Sequence, residues 1–233
     1  MKYKAVFFDL DNTLYSYDRA HSAAYSAMLE LASRSLSIST ERLEALHAEA
    51  SAVLKERCGG GSAIHNRLIR YQILLELAGL PIAHALPLAQ RYWQVFLDRL
   101  EPEPGAFSAL RRLKAMGLRL GVGTNMTADL QFEKLRRLGF LGELDCLVTS
   151  EEVNAEKPDR RLFDLCAAKA GAEPGACCFV GDSLKNDACA ARDAGMQGIW
   201  YCPDRSRPPA DGIPTLRALS ELPDMLAGSG GSI

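Results

Sequence analysis

The chain of 233 residues lacks a long apolar run, an excess of charge of one sign and any paired-cysteine motif. No apolar stretch approaches the roughly 18–20 residues that a membrane-spanning helix needs. The formal net charge is −2, so no basic field favours nucleic acid or an anionic membrane surface. We interpret the short arginine pairs, such as Arg136 with Arg137, as solvated helix faces. We therefore expect neither a nucleic-acid partner nor a membrane partner.

The seven cysteines are scattered along the chain and none stands in a C-x-x-C pair. An odd count without that spacing argues against a disulfide framework and against a zinc site. We expect these cysteines to pack as small apolar side chains. The N-terminus leads directly into an apolar strand and leaves no room for a signal peptide, so the predicted location is the cytoplasm.

What the chain does contain is an apolar run, 6–8, that ends in Asp9 and Asp11. Burying a carboxylate costs several kcal/mol unless something compensates its charge. The carboxyl end of a parallel strand, however, opens on the crevice where such sheets bind ligands, and a hard cation such as Mg²⁺ is a common reason for paired carboxylates there. A simple turn after the strand is the alternative, because Asp and Asn are frequent in turns.

Strand and helix patterns alternate in the second half of the chain. Apolar runs predict strands at 118–123, Cys146–Thr149, Cys177–Gly181 and 198–201, with helices at Ala128–Leu138, Arg160–Ala170 and 185–194. This alternation predicts an α/β fold with a doubly wound, Rossmann-like parallel sheet. Gly139, Gly171 and Gly195 follow the helical runs at positions where helices commonly stop.

A long insertion separates the first strand from the second. Apolar residues recur at helical spacing in 23–31, 41–54, 66–77 and 86–97. We predict an all-helical cap domain at 15–100 and a core domain formed by 1–14 and 101–227. The glycine- and serine-rich end at 228–233 has the composition of a flexible tail.

Polar residues mark the ends of the other predicted strands and the start of a helix. Thr124 and Asn125 follow one strand, Lys157 precedes a helix, and Asp182 and Asp187 stand in a G-D-x-x-x-x-D motif after another strand. Together with D-x-D-x-T at 9–13, this ordered set resembles the haloacid dehalogenase-like superfamily of phosphohydrolases. The resemblance implies a helical cap that admits and selects the substrate.

The chemistry assigns different roles to the first two aspartates. Asp9 is the candidate nucleophile, which attacks phosphorus and forms an aspartyl-phosphate. Asp11, on the same face of an extended strand end, is the candidate acid–base that protonates the leaving oxygen and later deprotonates water. Asp9 and Asp182 are the candidate side-chain ligands of Mg²⁺, and the resemblance implies the backbone carbonyl of Asp11 as a third.

Positive and neutral donors are expected around the phosphoryl group. Thr124, the Asn125 loop and Lys157 are predicted to bind phosphate oxygens, and Lys157 to neutralise the developing charge. The resemblance implies that Asp187 orients a metal-bound water or Lys157, and direct contact with the metal is the alternative. Thr13 is predicted to support the loop by bonding local backbone.

Three functions stay open from the sequence. Dehalogenase members of the superfamily lack the second aspartate, so the presence of Asp11 favours a phosphatase acting on a small phosphorylated metabolite, such as a nucleoside 5'-monophosphate or a sugar phosphate. The segment 150–158 resembles the branch of bacterial pyrimidine 5'-nucleotidases and N-acylneuraminate-9-phosphatase. The alternatives are a phosphomutase of the beta-phosphoglucomutase type and a non-enzymatic binding protein on an inactive scaffold. Position alone suggests specificity residues, namely Tyr15, Tyr17, Arg19, His65 and Arg67, and no pattern specifies an oligomeric state.

Overall fold

The computed structural model describes residues 2–59 and 61–228, which form two compact units. One unit combines the residues up to Ser16 with those from Glu101 onward, and the other is Tyr17–Leu100. Tyr15, predicted from the sequence to lie in the cap, belongs to the first unit, where it forms isolated β-bridges with Asp11 and Pro102. Residues 229–233 of the predicted tail lie outside the described residues.

The first unit is built on a six-stranded parallel sheet with the order β3-β2-β1-β4-β5-β6. The strands are β1 Ala5–Phe8, β2 Arg119–Thr124, β3 Cys146–Thr149, β4 Cys177–Gly181, β5 Gln197–Tyr201 and β6 Thr215–Leu216. All four residues of β1 are buried, as expected for a central strand covered on both faces. The strand order reverses at β1, which places a topological switch point at its carboxyl end. The predicted α/β fold with a parallel sheet is confirmed.

The second unit is helical over its described residues. It contains α1 Tyr17–Leu36, α2 Thr40–Cys58, α3 Arg67–Leu77 and α4 Ala85–Asp98, with short 3₁₀ turns at Ser62–His65 and Ile82–His84. Side-chain caps begin two of these helices, because Ser39 accepts a bond from the backbone of Arg42 and Asn66 accepts one from Ile69. The apolar faces of α1 and α4 pack together, as do those of α2 and α3.

Helices cover both faces of the sheet in the first unit. They are α5 Ala106–Ala115, α6 Ala128–Leu138, α7 Ser150–Val153, α8 Arg160–Ala170, α9 Ala190–Asp193 and α10 Leu222–Gly228. Gly139 and Gly171 end α6 and α8 in the left-handed conformation that the sequence indicated. The helix expected at 185–194 is instead a π-helix, Leu184–Cys189, followed by α9.

One hydrophobic core lies between the sheet and α8. The rings of Phe163 and Phe179 meet edge to face at 4.9 Å, and Phe7 packs in the same cluster. The seven cysteines are free thiols, and four of them are buried. Among the described helices, none is long and apolar enough to cross a membrane.

Candidate active site

The motif after β1 is fixed to the neighbouring strand by backbone and side-chain bonds. The Asp9 amide donates to the carbonyl of Val180 at 2.8 Å, which extends the β1–β4 pairing by one residue. Asn12 then adopts a left-handed backbone conformation with φ of 60°. The Thr13 hydroxyl accepts a hydrogen bond from the Asp182 amide at 3.1 Å. The Thr13 amide bonds the local backbone at the carbonyl of Leu10, and the Thr13 side chain in addition joins the first motif to the last one.

Lys157 is buried beside two carboxylates. Its Nζ lies 2.5 Å from Oδ1 of Asp9 and 2.6 Å from Oδ1 of Asp187, and it also donates to the carbonyl of Gly123. Burial alone would lower the pKa of Lys157, but the carboxylates of Asp187 and Asp9 hold it above its usual value. The lysine is therefore a fixed positive charge next to the candidate nucleophile.

Asn125 positions the lysine loop. Its Oδ1 accepts a hydrogen bond from the Lys157 amide at 2.9 Å, and its Nδ2 donates to Glu156 at 3.3 Å. Thr124 is buried. Its hydroxyl accepts a hydrogen bond from the side-chain Nε2 of Gln131 at 2.7 Å and donates one to the backbone carbonyl of Asn125. Both polar atoms of the Asn125 side chain thus hold the lysine loop in place.

Asp9, Asp182 and Asp187 form a cluster in which one carboxylate oxygen from each lies within 4.8 Å of the others. Asp187 folds back over the end of β4, where its Oδ2 accepts a bond from the Ser183 amide. The glycine at position 181 permits this approach, because a Cβ there would collide with the Asp187 side chain. The structure thus brings a third side-chain carboxylate to the place where the sequence predicted two.

The cluster carries more negative than positive charge. Burial, opposed by Lys157 and reinforced by Asp187, raises the pKa of Asp9 to about 8. Burial together with Asp187 also raises the pKa of Asp182 to about 6. Protons therefore bind these carboxylates more tightly than usual when no other cation is close. An oxygen-only donor set of this kind fits a hard divalent cation such as Mg²⁺.

Asp11 has different partners from the other aspartates. Its Oδ1 lies 2.7 Å from Nζ of Lys134, which is fully buried, and it also accepts a short hydrogen bond from the hydroxyl of Tyr15. Its carboxylate is not part of the three-aspartate cluster found among the described residues.

Sequence reasoning missed Lys134, although a signal was present. On α6 the buried positions include Gln131 and Lys134 alongside two leucines, so two polar side chains occupy the apolar stripe of the helix. Gln131 reaches Thr124 and Lys134 reaches Asp11. A lysine at a core position of an amphipathic helix indicates a buried partner.

A cavity of about 170 Å³ opens over this cluster. Its lining comprises Asp9, Asp11, Thr124, Asn125, Lys157, Asp182, Ser183, Asn186 and Asp187. All the predicted catalytic, phosphate-binding and metal-binding residues and Asp187 contribute to it, whereas Thr13 and the five candidate specificity residues do not. Ser183 and Asn186 are additions that the motif did not indicate. The volume is well below the roughly 300–1,000 Å³ of pockets that enclose a whole drug-sized ligand. This cavity therefore suits a small charged group, such as a phosphoryl group, rather than an entire metabolite.

The sequence and the fold both match known hydrolases. The sequence profile of the haloacid dehalogenase-like hydrolase family matches residues 3–195. The solved structure of a 2-haloacid dehalogenase from Pseudomonas syringae pv. Tomato DC3000 superimposes with a TM-score of 0.77 at 29% identity, covering 97% of this chain and 99% of that one.

Curated relatives with similar sequences are named as phosphatases. Ribulose-1,5-bisphosphate 5-phosphatase of Halopiger xanaduensis is 31% identical, over 96% of this chain and 99% of the relative. Glyceraldehyde 3-phosphate phosphatase of Methanothermobacter thermautotrophicus is 34% identical, over 84% of each chain. Pyrimidine 5'-nucleotidase YjjG of Escherichia coli, from the branch that segment 150–158 resembles, is 26% identical, over 97% of this chain and 99% of the relative. The chain therefore belongs to the haloacid dehalogenase-like hydrolase family and is a phosphohydrolase.

Proposed function

We propose that this protein is a Mg²⁺-dependent phosphatase that hydrolyses a small phosphorylated metabolite through an aspartyl-phosphate on Asp9. The observation that carries the proposal is the phosphoryl-sized cavity in which Asp9 and Asp11 lie together with Lys157. Relatives named for sugar phosphates and for a nucleotidase support a small phosphate ester as the substrate. The cytoplasmic location expected from the sequence remains a prediction.

The carboxylates of Asp9 and Asp182, with the backbone of Asp11, would hold the metal. Asp187 would act on Lys157, to which it is bonded, and its place in the carboxylate cluster also allows it to contact the ion. When bound, Mg²⁺ supplies positive charge that offsets the repulsion between a carboxylate and a phosphate dianion.

The first step transfers the phosphoryl group to the protein. A carboxylate oxygen of Asp9 attacks phosphorus, and the bond from phosphorus to the ester oxygen breaks as the new one forms. Asp11 gives its proton to the departing oxygen. Lys157, already bonded to Asp9, neutralises charge that builds up on the transferred group.

The second step releases inorganic phosphate. Asp11, now ionised, takes a proton from a water molecule, whose oxygen attacks the phosphorus of the aspartyl-phosphate. The bond between phosphorus and Asp9 breaks, which restores the free carboxylate. The ion pair between Asp11 and Lys134 provides a partner for the ionised carboxylate in this half of the cycle.

We further propose that the helical unit selects among phosphate esters while the sheet unit performs the chemistry. The sequence assigned the cap to 15–100, and the second compact unit of the structure is Tyr17–Leu100. The cap role itself follows from the family resemblance.

The test is to measure release of inorganic phosphate from a panel of sugar phosphates, phosphorylated hydroxy acids and nucleoside monophosphates. We expect phosphate release with Mg²⁺ and without any bisphosphate activator, and none after exhaustive chelation of divalent cations. Restoration of activity by added Mg²⁺ is the control for damage by the chelator. Full activity in the chelated protein would contradict the metal assignment. Phosphoryl return to a sugar, with no free phosphate, would establish the phosphomutase alternative, and inertness toward the whole panel would favour a binding protein.

A further inference from the structure

The helical unit encloses a second polar cluster, none of whose residues lines the cavity described above. At its centre is Arg67, which is only 5% exposed. Its guanidinium group donates to the carbonyl of His65 at 3.0 Å and to the hydroxyls of Tyr17 at 2.7 Å and Tyr92 at 3.4 Å. These bonds use three of the five N–H donors of the group, and the buried Nε has no hydrogen-bond partner.

The surroundings of Arg67 support a cation but do not neutralise it. The guanidinium carbon lies 5.0 Å from the ring centre of Tyr92 and 5.7 Å from that of Trp93. Its hydrogen-bond acceptors among the described residues are neutral carbonyl and hydroxyl oxygens. A buried charge without an ionic partner costs several kcal/mol, so an anion here would be stabilising.

Further unused donors lie in the same cluster. Arg70, one helical turn from Arg67, donates to the carbonyl of Ile64 at 2.8 Å, and its buried Nε has no partner. The hydroxyl of Tyr71 is also buried without a hydrogen-bond partner. The ring of Tyr71 lies 6.4 Å from that of Tyr92, which links it to Arg67. Unsatisfied buried donors are uncommon in proteins, and these three belong to five consecutive residues of α3, so an acceptor is expected near this segment.

Two histidines complete the cluster and respond to its positive potential. His21 Nδ1 lies 2.7 Å from the hydroxyl of Tyr92, and the ring of His47 lies 6.1 Å from that of Tyr71. Burial, followed by the charges of Arg67 and Arg70, lowers the pKa of His21. Burial and the same two arginines lower the pKa of His47 to about 4. This cluster therefore carries an excess of positive charge, whereas the aspartate cluster carries an excess of negative charge.

We infer that these residues, which we call the Arg67 cluster (Arg67, Arg70, Tyr71, His21 and His47), form a binding site for an oxyanion of a small molecule. A phosphate or carboxylate group offers several acceptors at once, which suits a guanidinium Nε, a second guanidinium Nε and a phenol hydroxyl. The oxyanion is either a second acidic group of the substrate or a free inorganic anion. The first source rests on the proposed function, and it makes the substrate class a phosphate ester that carries another phosphate or a carboxylate.

The first experiment tests the site without using activity. Sulfate is titrated into the full chain in the absence of Mg²⁺ and ester, and the pKa values of the four histidines are followed by NMR. Groups that face His21 and His47 are Tyr17, Asp18 and Tyr25 on α1, Arg67, Arg70 and Tyr71 on α3, and Tyr92 on α4. Glu44 on α2 acts on Tyr25, which lies against both histidine rings. We expect sulfate to raise the pKa of His21 and His47 by about 0.5 unit or more, because an anion favours the imidazolium form.

Internal and variant controls make this measurement specific. His84, in the short turn Ile82–His84, reports any general salt effect. Arg67→Gln should abolish the response of both cluster histidines, and Arg34→Gln, which removes an exposed arginine of the same unit, should keep it. If neither His21 nor His47 responds in the natural sequence, or if Arg67→Gln responds equally, the inference is overturned. The wild-type titration decides this even if Arg67→Gln does not fold, and Arg70→Gln serves as a second variant.

The second experiment identifies the source of the oxyanion. Phosphate esters are compared in pairs that differ by one additional phosphate or carboxylate. If the substrate supplies the oxyanion, Arg67→Gln should raise KM about 10-fold for the ester with the additional acidic group. For the ester without that group, KM should rise less than about 2-fold. A sulfate response combined with equal effects on both members assigns the site to a free anion. An inert protein that still shows the sulfate response would refute the proposed phosphatase and leave the anion site standing.

Discussion

Asp9, Lys157 and Asp187 are joined in a buried chain of ionic contacts in which one ammonium group serves two carboxylates. Each member depends on the others, since removing one charge from a buried pair leaves the remaining charge uncompensated. The nucleophile Asp9, the neutralising cation Lys157 and the carboxylate of Asp187 that holds this cation thus depend on one another. Substitutions of these three residues should lower turnover strongly and leave the helices and strands at the protein surface folded.

Asp9→Asn should abolish turnover and leave the protein folded. Asparagine has nearly the same shape as aspartate but is a far weaker nucleophile, so phosphate release should fall on the order of 10³-fold or more. Phosphate release and the thermal melting temperature are the two measurements. Asp193→Asn, an exposed aspartate on α9, is the matched control and should keep full activity. Retention of a tenth of the activity by Asp9→Asn would rule out the covalent mechanism.

Lys134→Met should slow the chemical step. The lysine is fully buried and pairs with Asp11, so its loss releases the candidate acid–base from its observed position. Because a proton-transfer group contributes about 10²–10⁴-fold, we expect kcat to fall roughly 10- to 100-fold with a smaller change in KM. Lys169→Met removes a lysine that pairs with Glu152 at the surface, and it should change neither parameter. An unchanged kcat in Lys134→Met would show that the Asp11 pair has no role in turnover.

At the scale of helices and strands, local sequence signals predicted much of the fold. The helices at Ala128–Leu138 and Arg160–Ala170 have the expected bounds, because a glycine ends each of them. The two-residue strand β6 has too short an apolar run to stand out. The π-helix Leu184–Cys189 carries Asp187, whose contacts with Ser183 and Lys157 depend on tertiary structure.

In the active site, too, local sequence motifs predicted individual residues but not the contacts between residues that are far apart in the chain. The ordered motifs identified seven of the nine residues that line the cavity, because each follows a strand or opens a helix. The pairing of Lys134 with Asp11 spans 123 residues, and the bond between Thr13 and Asp182 spans 169. Neither contact leaves a spacing pattern in the sequence, so only the folded sheet reveals them.

The helices of the second unit should lose stability in mild acid through His47. Its folded pKa of about 4 lies below the ordinary value of 6.5 because of burial and of Arg70 and Arg67. Between these values the unfolded chain binds more protons, so stability is full above pH 6.5 and falls as pH drops toward 4. We expect this histidine to account for on the order of 2 kcal/mol over that window.

The measurement is thermal melting between pH 4.5 and 7.5 in chloride buffer, compared between the natural sequence and His47→Gln. The variant should show a flatter pH dependence, since glutamine does not titrate. His84→Gln, in the short turn Ile82–His84, is the control substitution of another histidine of the same unit. Identical pH profiles for His47→Gln and the natural sequence would contradict the prediction.

At the scale of the whole molecule, chemistry and selection should separate between the two units. Alanine substitutions of Tyr17, Arg19, His65 and Arg67 should change the relative preference among phosphate esters. Lys157→Ala should depress all esters together, because it acts on the phosphoryl group that they share. The measurement is kcat/KM on at least three esters for each variant. Unchanged preferences in all four helical-unit variants, with a shifted preference in Lys157→Ala, would reverse the assignment.

The central position of β1 has a consequence for biosynthesis. The ribosome makes β1 before its partners β2 and β4, which begin only at Arg119 and Cys177, after the entire helical unit. At about 5–20 residues per second, this apolar strand waits on the order of ten seconds for its neighbours. The helical unit can fold during that interval while β1 stays unpaired. Nascent chains arrested before Cys177 should therefore be bound by chaperones through β1, and chains arrested after β4 should escape them.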